Sequence, residues 1–165
     1  MNKKTTQLIL AFSATLLAAS AAQAQVRSEK NISMNLAMEA AAEAVASCAK
    51  SNYNVTATVV DRAGQIRAQL RGDLAGPHTN DTSRRKAFMS ASTRNNTQAI
   101  MEGVQKNPGN AGIGQITDFI LLGGGVPIRA GNEVIGAIGV GGAPGGQLDE
   151  ACANAGIDKI KDRLN

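Results

Sequence analysis

The segment Val134-Ile135-Gly136-Ala137-Ile138-Gly139-Val140 constrains the fold more than any other. Its β-branched residues favour an extended strand. Glycine weakens a strand interior, so Gly136 and Gly139 mark places where a helix or a ligand approaches the backbone closely. Such a strand needs neighbours. Gly131-Asn132 supplies a two-residue hairpin turn back to Val126-Pro127-Ile128-Arg129. Pro127 cannot donate to a ladder, so that partner is an edge strand or carries a bulge. Upstream, Phe119-Ile120-Leu121-Leu122 is apolar throughout and reads as a central strand, with Gly123-Gly124-Gly125 turning the chain after it.

A second hairpin lies earlier. Asn54 to Asp61 is β-branched and alternates up to Val59, Arg62-Ala63-Gly64 turns, and Ile66, Ala68 and Leu70 alternate with polar residues. Helices surround these strands. Ser33 is placed to cap a helix on which Leu36, Ala40, Ala44, Val45 and Cys48 recur at helical spacing. Asp81, Thr82 or Ser83 can cap a second helix running to about Gln98, with Ala87, Phe88 and Ala91 on its inner face and Met101 as a further candidate. Residues 103–114, rich in Gly, Asn and Pro, read as short helical turns or loop. A last helix carries Leu148, Cys152, Gly156, Ile160 and Leu164 on one stripe. The expected class is α/β (α+β): one five-stranded antiparallel sheet flanked by helices, in the order α-β-β-α-β-β-β-α.

The N-terminus reads as an export signal. Lys3 and Lys4 form a positive start, Leu8 to Ala19 is an uncharged apolar run, and Ala22-Gln23-Ala24 is a cleavage pattern. Residues 1–24 are the expected signal peptide, and 25–165 the single mature domain. The apolar run is shorter than the roughly 20 residues of a spanning helix, and no later segment is long and apolar enough to be one. The expected localisation is periplasmic or secreted. Of 17 Lys+Arg, removal of Lys3 and Lys4 leaves 15 against 13 Asp+Glu, a net charge of about +2. That near-neutral balance, the lack of Trp and the single Tyr53 argue against a nucleic-acid partner. An oxidising compartment permits a Cys48–Cys152 disulfide. Both residues lie on inward stripes of the terminal helices, so the bridge is open if those helices are neighbours. The alternative is two buried thiols acting as small apolar side chains.

Few residues can carry chemistry, and no catalytic set is identified. There is no P-loop, and the run from Gly139 to Gly145 does not match G-x-G-x-x-G. With His78 as the one His, a His-rich zinc site is impossible. A catalytic triad would have to use His78, without a supporting G-x-S-x-G. His78, beside Thr79 in the loop ahead of the second helix, is a metal or haem-iron ligand by its chemistry; the plain alternative is an exposed loop histidine. Arg84-Arg85-Lys86 sit at the expected start of that helix, against its macrodipole. They point to an anionic partner such as a carboxylate or phosphate, or else to a solvated face paired with Asp73 or Asp81. The loop Gly141 to Gly146 can hold an anion on free backbone N–H groups or be a plain strand-to-helix turn. Glu39 and Glu43, one helical turn apart, could share a metal ion but read as surface carboxylates.

Taken together, Val59-Val60-Asp61-Arg62-Ala63-Gly64, Arg71-Gly72-Asp73, Ser83-Arg84-Arg85-Lys86-Ala87, Gly123-Gly124-Gly125-Val126-Pro127-Ile128 and Gly136-Ala137-Ile138-Gly139-Val140-Gly141-Gly142-Ala143 resemble the GlcG/HbpS-type family, which includes the C-terminal domain of PduO-type proteins. The resemblance covers essentially all of the mature chain. It implies a profilin-like three-layer sandwich, homo-oligomers from dimers to rings, and, for exported members, haem as cofactor. It also implies that His78 or Thr79 faces the haem iron and that Arg84, Arg85 and Lys86 meet its propionates. Two features depart from the family pattern. Gly141 stands where the family usually has Ser, and Glu-x-x-Glu, the iron-storage motif, is missing. Three functions follow as expectations: an exported haem-binding protein for sensing, scavenging or handling haem; an enzyme acting on a small anionic metabolite; or an oligomeric accessory module without ligand chemistry.

Overall fold

The structure, a computed structural model, describes residues 26–164. The expected signal peptide and its cleavage site lie outside the described residues. Helix α1 spans Met34–Ala49, followed by strands β1 (Thr56–Asp61) and β2 (Ile66–Arg71). Helices α2 (His78–Thr93) and α3 (Thr97–Lys106) come next, with a 3-10 segment over Pro108–Gln115. Strands β3 (Gly125–Ala130) and β4 (Glu133–Gly141) and helix α4 (Gly146–Ile160) complete the fold.

The sheet is antiparallel with the order β2-β1-β4-β3, so it has four strands, not the expected five. The observed order is α-β-β-α-α-β-β-α. Phe119-Ile120-Leu121-Leu122 is the segment that departs from expectation: it forms no strand. Asp118 takes φ 66° just before it, and the Leu122 N–H turns back onto the Ile120 carbonyl. The Phe119 carbonyl accepts from Arg85 instead of a neighbouring strand. Of this run only Phe119 is buried, its ring edge-on to Phe88 at 6.2 Å, while Leu122 is exposed.

Alternation along the strands divides the molecule into layers. On one face Ala57, Val59, Ile138 and Val140 pack with Ala37, Ala40, Ala41 and Ala44 of α1 and with Cys152, Ala153 and Ile160 of α4. On the other face Val60 and Ala137 meet Ala87 and Ala91 of α2. This second face is partly polar. The buried Thr56 and Thr79 hydroxyls are 2.7 Å apart, as are those of Thr58 and Ser83. Each pair satisfies groups that would otherwise be costly to bury.

Gly139 explains why α2 lies so close. A Cβ there would stand 2.2 Å from the Ser83 carbonyl oxygen and 2.5 Å from the Ala87 nitrogen. Pro127 lies in β3, which is the sheet edge, and the β3–β4 register shifts between Ile128 and Arg129. Ser33 caps α1, accepting from the Leu36 N–H at 3.4 Å. On α4 the inward stripe is Asp149, Cys152, Ala153, Gly156 and Ile160, whereas Leu148 is exposed. Cys48 of α1 and Cys152 of α4 are disulfide-bonded, with Cα atoms 5.5 Å apart.

Candidate functional site

Helix α2 begins at His78, earlier than any of the expected caps, because Pro77 occupies the position before it. Proline loses nothing at a helix start, where its missing N–H would have no partner. Thr79 reinforces the start by donating its hydroxyl to the Gly76 carbonyl at 2.6 Å. Arg84, Arg85 and Lys86 therefore fall in the second and third turns. The macrodipole argument for an anion at these three residues does not survive that shift, since the dipole acts mainly in the first turn. The helix also ends sooner than expected. Arg94 takes a left-handed φ of 58°, and the chain restarts as α3.

A cleft of about 340 Å³ opens where the start of α2, the start of α3, the Leu122–Gly123 turn and the loop before α4 converge. His78 stands at its mouth, exposed, and its ring nitrogens have no hydrogen bond among the described residues. Thr79 also lines the cleft but is 1 % exposed, and its hydroxyl is engaged with Gly76 and Thr56. Met101, Leu122, Ala143 and Pro144 give the walls an apolar character.

The three cations separate. Only Lys86 reaches the cleft. Its ammonium, 3 % exposed, donates to Asp149 Oδ2 at 2.7 Å and to the Val140 carbonyl at 2.9 Å. Asp149 Oδ1 accepts from the Ala143 N–H at 3.0 Å. This buried pair therefore ties α2, the end of β4, the loop and the first turn of α4 together. Burial raises the Asp149 carboxyl above its ordinary value, and Lys86 and the Ala143 N–H oppose that shift. Gly124, at φ 115°, makes room for the pair: a Cβ there would lie 2.6 Å from Asp149 Cβ and 3.1 Å from Lys86 Nζ.

Arg84 instead bridges Asp118 and Asp81, both at 2.8 Å, and these hydrogen bonds raise its guanidinium pKa further. Arg85 donates to the Phe119 carbonyl. Neither arginine lines the cleft. Both fasten the loop that leads to Gly123. The structure thus brings His78, Thr79, Lys86 and the Gly142–Gly146 loop together, and leaves Arg84 and Arg85 outside. Glu39 pairs with Arg163 and Glu43 with Lys50. Among the described residues no group of three or more His, Cys, Asp or Glu side chains could hold a metal ion, and no helix is long and apolar enough to cross a membrane.

Asp149 and Gln98 are among the cleft residues that were not legible as site residues in the sequence. Asp149 had a usable signal, because it shares the inward stripe of α4 with Cys152 and Gly156. Gln98 had none, since the α2–α3 break that points it inward depends on the left-handed Arg94.

Residues 32–158 match the family profile described as haem degrading protein HbpS-like. The chain belongs to the HbpS-like family. HbpS of Streptomyces reticuli, solved as a double mutant, is 34% identical with a TM-score of 0.76; the match covers 81% of this chain and 89% of that one. Protein ORFY of Klebsiella pneumoniae is 28% identical with a TM-score of 0.78, over 83% of this chain and 95% of that one. An uncharacterised 15.0 kDa protein from the dhaT–dhaS intergenic region of Citrobacter freundii is 33% identical over 110 residues, 65% of this chain and 76% of that protein. PduOC, solved as a complex with haem, shares the fold at 19% identity, with a TM-score of 0.71 over 79% of this chain and 95% of that one. The helix-flanked antiparallel sheet is thus the fold of the HbpS-like family.

Proposed function

We propose that this HbpS-like protein is exported and binds haem in the cleft between α2, α3 and the loop before α4. The observation that carries this reading is His78. It is an exposed imidazole at the mouth of a partly apolar cleft, and its ring nitrogens have no hydrogen-bond partner among the described residues. A neutral imidazole is the commonest protein ligand of this kind for iron.

The residues present fit such a group. Met101, Leu122, Ala143 and Pro144 offer apolar contact, and the glycines of the loop remove side chains that would keep a flat ring away. The cleft is open on one side, so charged edge groups remain in water. Lys86, held by Asp149 and Val140, shapes the wall rather than meeting a propionate. Thr79 fixes the start of α2, and with it the position of His78. Bound haem would supply an iron centre able to bind or exchange electrons with small molecules. The chain's own residues supply the nitrogen ligand, the apolar walls and a rigid frame.

The profile that matches this chain describes haem-degrading proteins, and this supports haem as the ligand class. The signal pattern at residues 1–24 supports export. Arg84 and Arg85 do not line this cleft and instead hold Asp118 and the Phe119 carbonyl. Titrating the purified protein with haemin tests the reading. A shifted Soret band is expected, with affinity at least about ten-fold weaker in His78→Ala, since losing a ligand should cost no less than losing one of its outer-shell partners. An unchanged haemin spectrum would count against the whole reading.

A further inference from the structure

Residues 99–118 run through most of α3 and the whole 3-10 segment without one buried residue. The hydrogen bonds of this stretch stay within it and its two ends. The Asn107 N–H donates to the Gly103 carbonyl, that of Asn110 to Asn107, and that of Ile116 to Ile113. Among the described residues, no hydrogen bond or ion pair joins residues 99–117 to any element outside residues 96–119.

Both ends, by contrast, are fastened. The Thr97 hydroxyl accepts from the Gly125 N–H at 2.9 Å, and the Asn96 amide donates to Glu150 at 2.7 Å. At the far end Arg84 holds Asp118 at 2.8 Å, and the buried Phe119 ring meets Phe88. Beside each anchor stands a non-glycine residue in the left-handed region, Arg94 at φ 58° and Asp118 at φ 66°. When a segment hinges, a few positions at the ends of elements absorb the rotation.

The inner side of the stretch is apolar. Met101 lines the His78 cleft. Ile100, Val104 and Ile113 line a second groove, of about 430 Å³, between α3 and the 3-10 segment. Helix α3 therefore carries an apolar face that does not reach the core. Segments with few buried apolar contacts open at low free energy, and the lids of ligand sites are drawn from them. The floor of the cleft is the opposite case, because Lys86 and Asp149 are buried and paired.

We infer that residues 95–118 form a strap, which swings away as a unit to admit a ligand and closes with Met101 against it. A ligand in the cleft gives Met101 an apolar partner only in the closed form, and that differential contact is what favours closure. The strap belongs to the cleft whatever its ligand, so it does not rest on haem.

Lys106, exposed between α3 and the 3-10 segment, makes the strap readable by trypsin. In the free full chain it should be the first site cut, apart from trimming at the termini. The two pieces should stay joined by the Cys48–Cys152 bridge, which spans the cut, and separate only on reduction. Hydrogen exchange read by mass spectrometry should find the amides of residues 99–117 at least about ten-fold faster than those of α2 and α4. Two probes are then added separately: haemin, followed by its Soret band, and the apolar anion 8-anilinonaphthalene-1-sulfonate, followed by fluorescence. At about ten times its dissociation constant, a bound probe should slow both cleavage at Lys106 and exchange about ten-fold, as the open form loses its share of the population. Met101→Ala, compared at equal saturation, should keep less than about half of that protection. Exchange in residues 99–117 as slow as in α2, or a first internal cut elsewhere, would overturn the strap. A Soret shift without protection by either probe would overturn it too and leave the haem reading intact. Protection by the dye without a Soret shift would uphold the strap and defeat the haem reading. Neither protection nor a Soret shift would defeat both.

Discussion

Lys86 and Asp149 are the residues on which the cleft depends. Two charges so deeply buried are tolerated because both are hydrogen-bonded: Lys86 to Asp149 and the Val140 carbonyl, Asp149 to Lys86 and the Ala143 N–H. Lys86→Met leaves the Asp149 carboxylate buried without its cation and should cost about 3–5 kcal/mol in urea unfolding. Adding Asp149→Leu should recover part of that loss, and a double variant less stable than the single one would contradict the account. The pair also sets a pH dependence. Burial raises the Asp149 carboxyl, so the folded chain holds that proton more tightly than the unfolded chain. The linked stabilisation is fully present below the unfolded carboxyl pKa of about 3.9, and it is lost as pH rises through the raised folded value. Wild type should therefore lose stability relative to Asp149→Asn as pH rises from about 4. Urea midpoints of the two proteins across that range measure the difference, and an advantage of wild type that grew with pH would have the wrong sign.

At the scale of elements, the glycines of β4 place α2. Gly139→Ala drives a methyl group into the Ser83 and Ala87 backbone. It should cost about 1–3 kcal/mol by thermal or urea unfolding, as overpacking does; a neutral effect would mean α2 is free to move away. This element was legible in advance, because glycine inside a β-branched run has few other uses. The hairpins were legible too, since alternation and Gly131-Asn132 are local signals. Phe119 to Leu122 was misread, because an apolar run does not distinguish a strand from a loop fastened by Arg84, Arg85 and Phe88. The cleft was legible only in part. His78 and the glycine loop stand out by residue type, but the inward course of Lys86 depends on where α2 begins. Proline at 77 fixes that start, and reading the helix from Asp81, Thr82 or Ser83 instead placed the three cations in its first turns.

Across the whole molecule, α1 and α4 enclose one face of the sheet and the Cys48–Cys152 bridge joins them over 104 residues of chain. Replacing both cysteines by alanine should cost about 2–4 kcal/mol through the freedom regained by the unfolded chain. A matching fall in the melting temperature of wild type on reduction would check this, and an unchanged melt would show that packing alone holds the helices. The same bridge anchors α4 one turn beyond Asp149, so it steadies the helix whose start forms the cleft wall. Two layers of helices around a sheet thus converge on one site, where a single exposed histidine meets a partly apolar cleft. The claim that this site holds haem is tested most directly by the absorption spectrum of the protein isolated from its own host, beside His78→Ala isolated in the same way. The account predicts a Soret band in the wild type that is reduced or lost in the variant. A wild-type spectrum without a Soret band, or one unchanged in the variant, would contradict it.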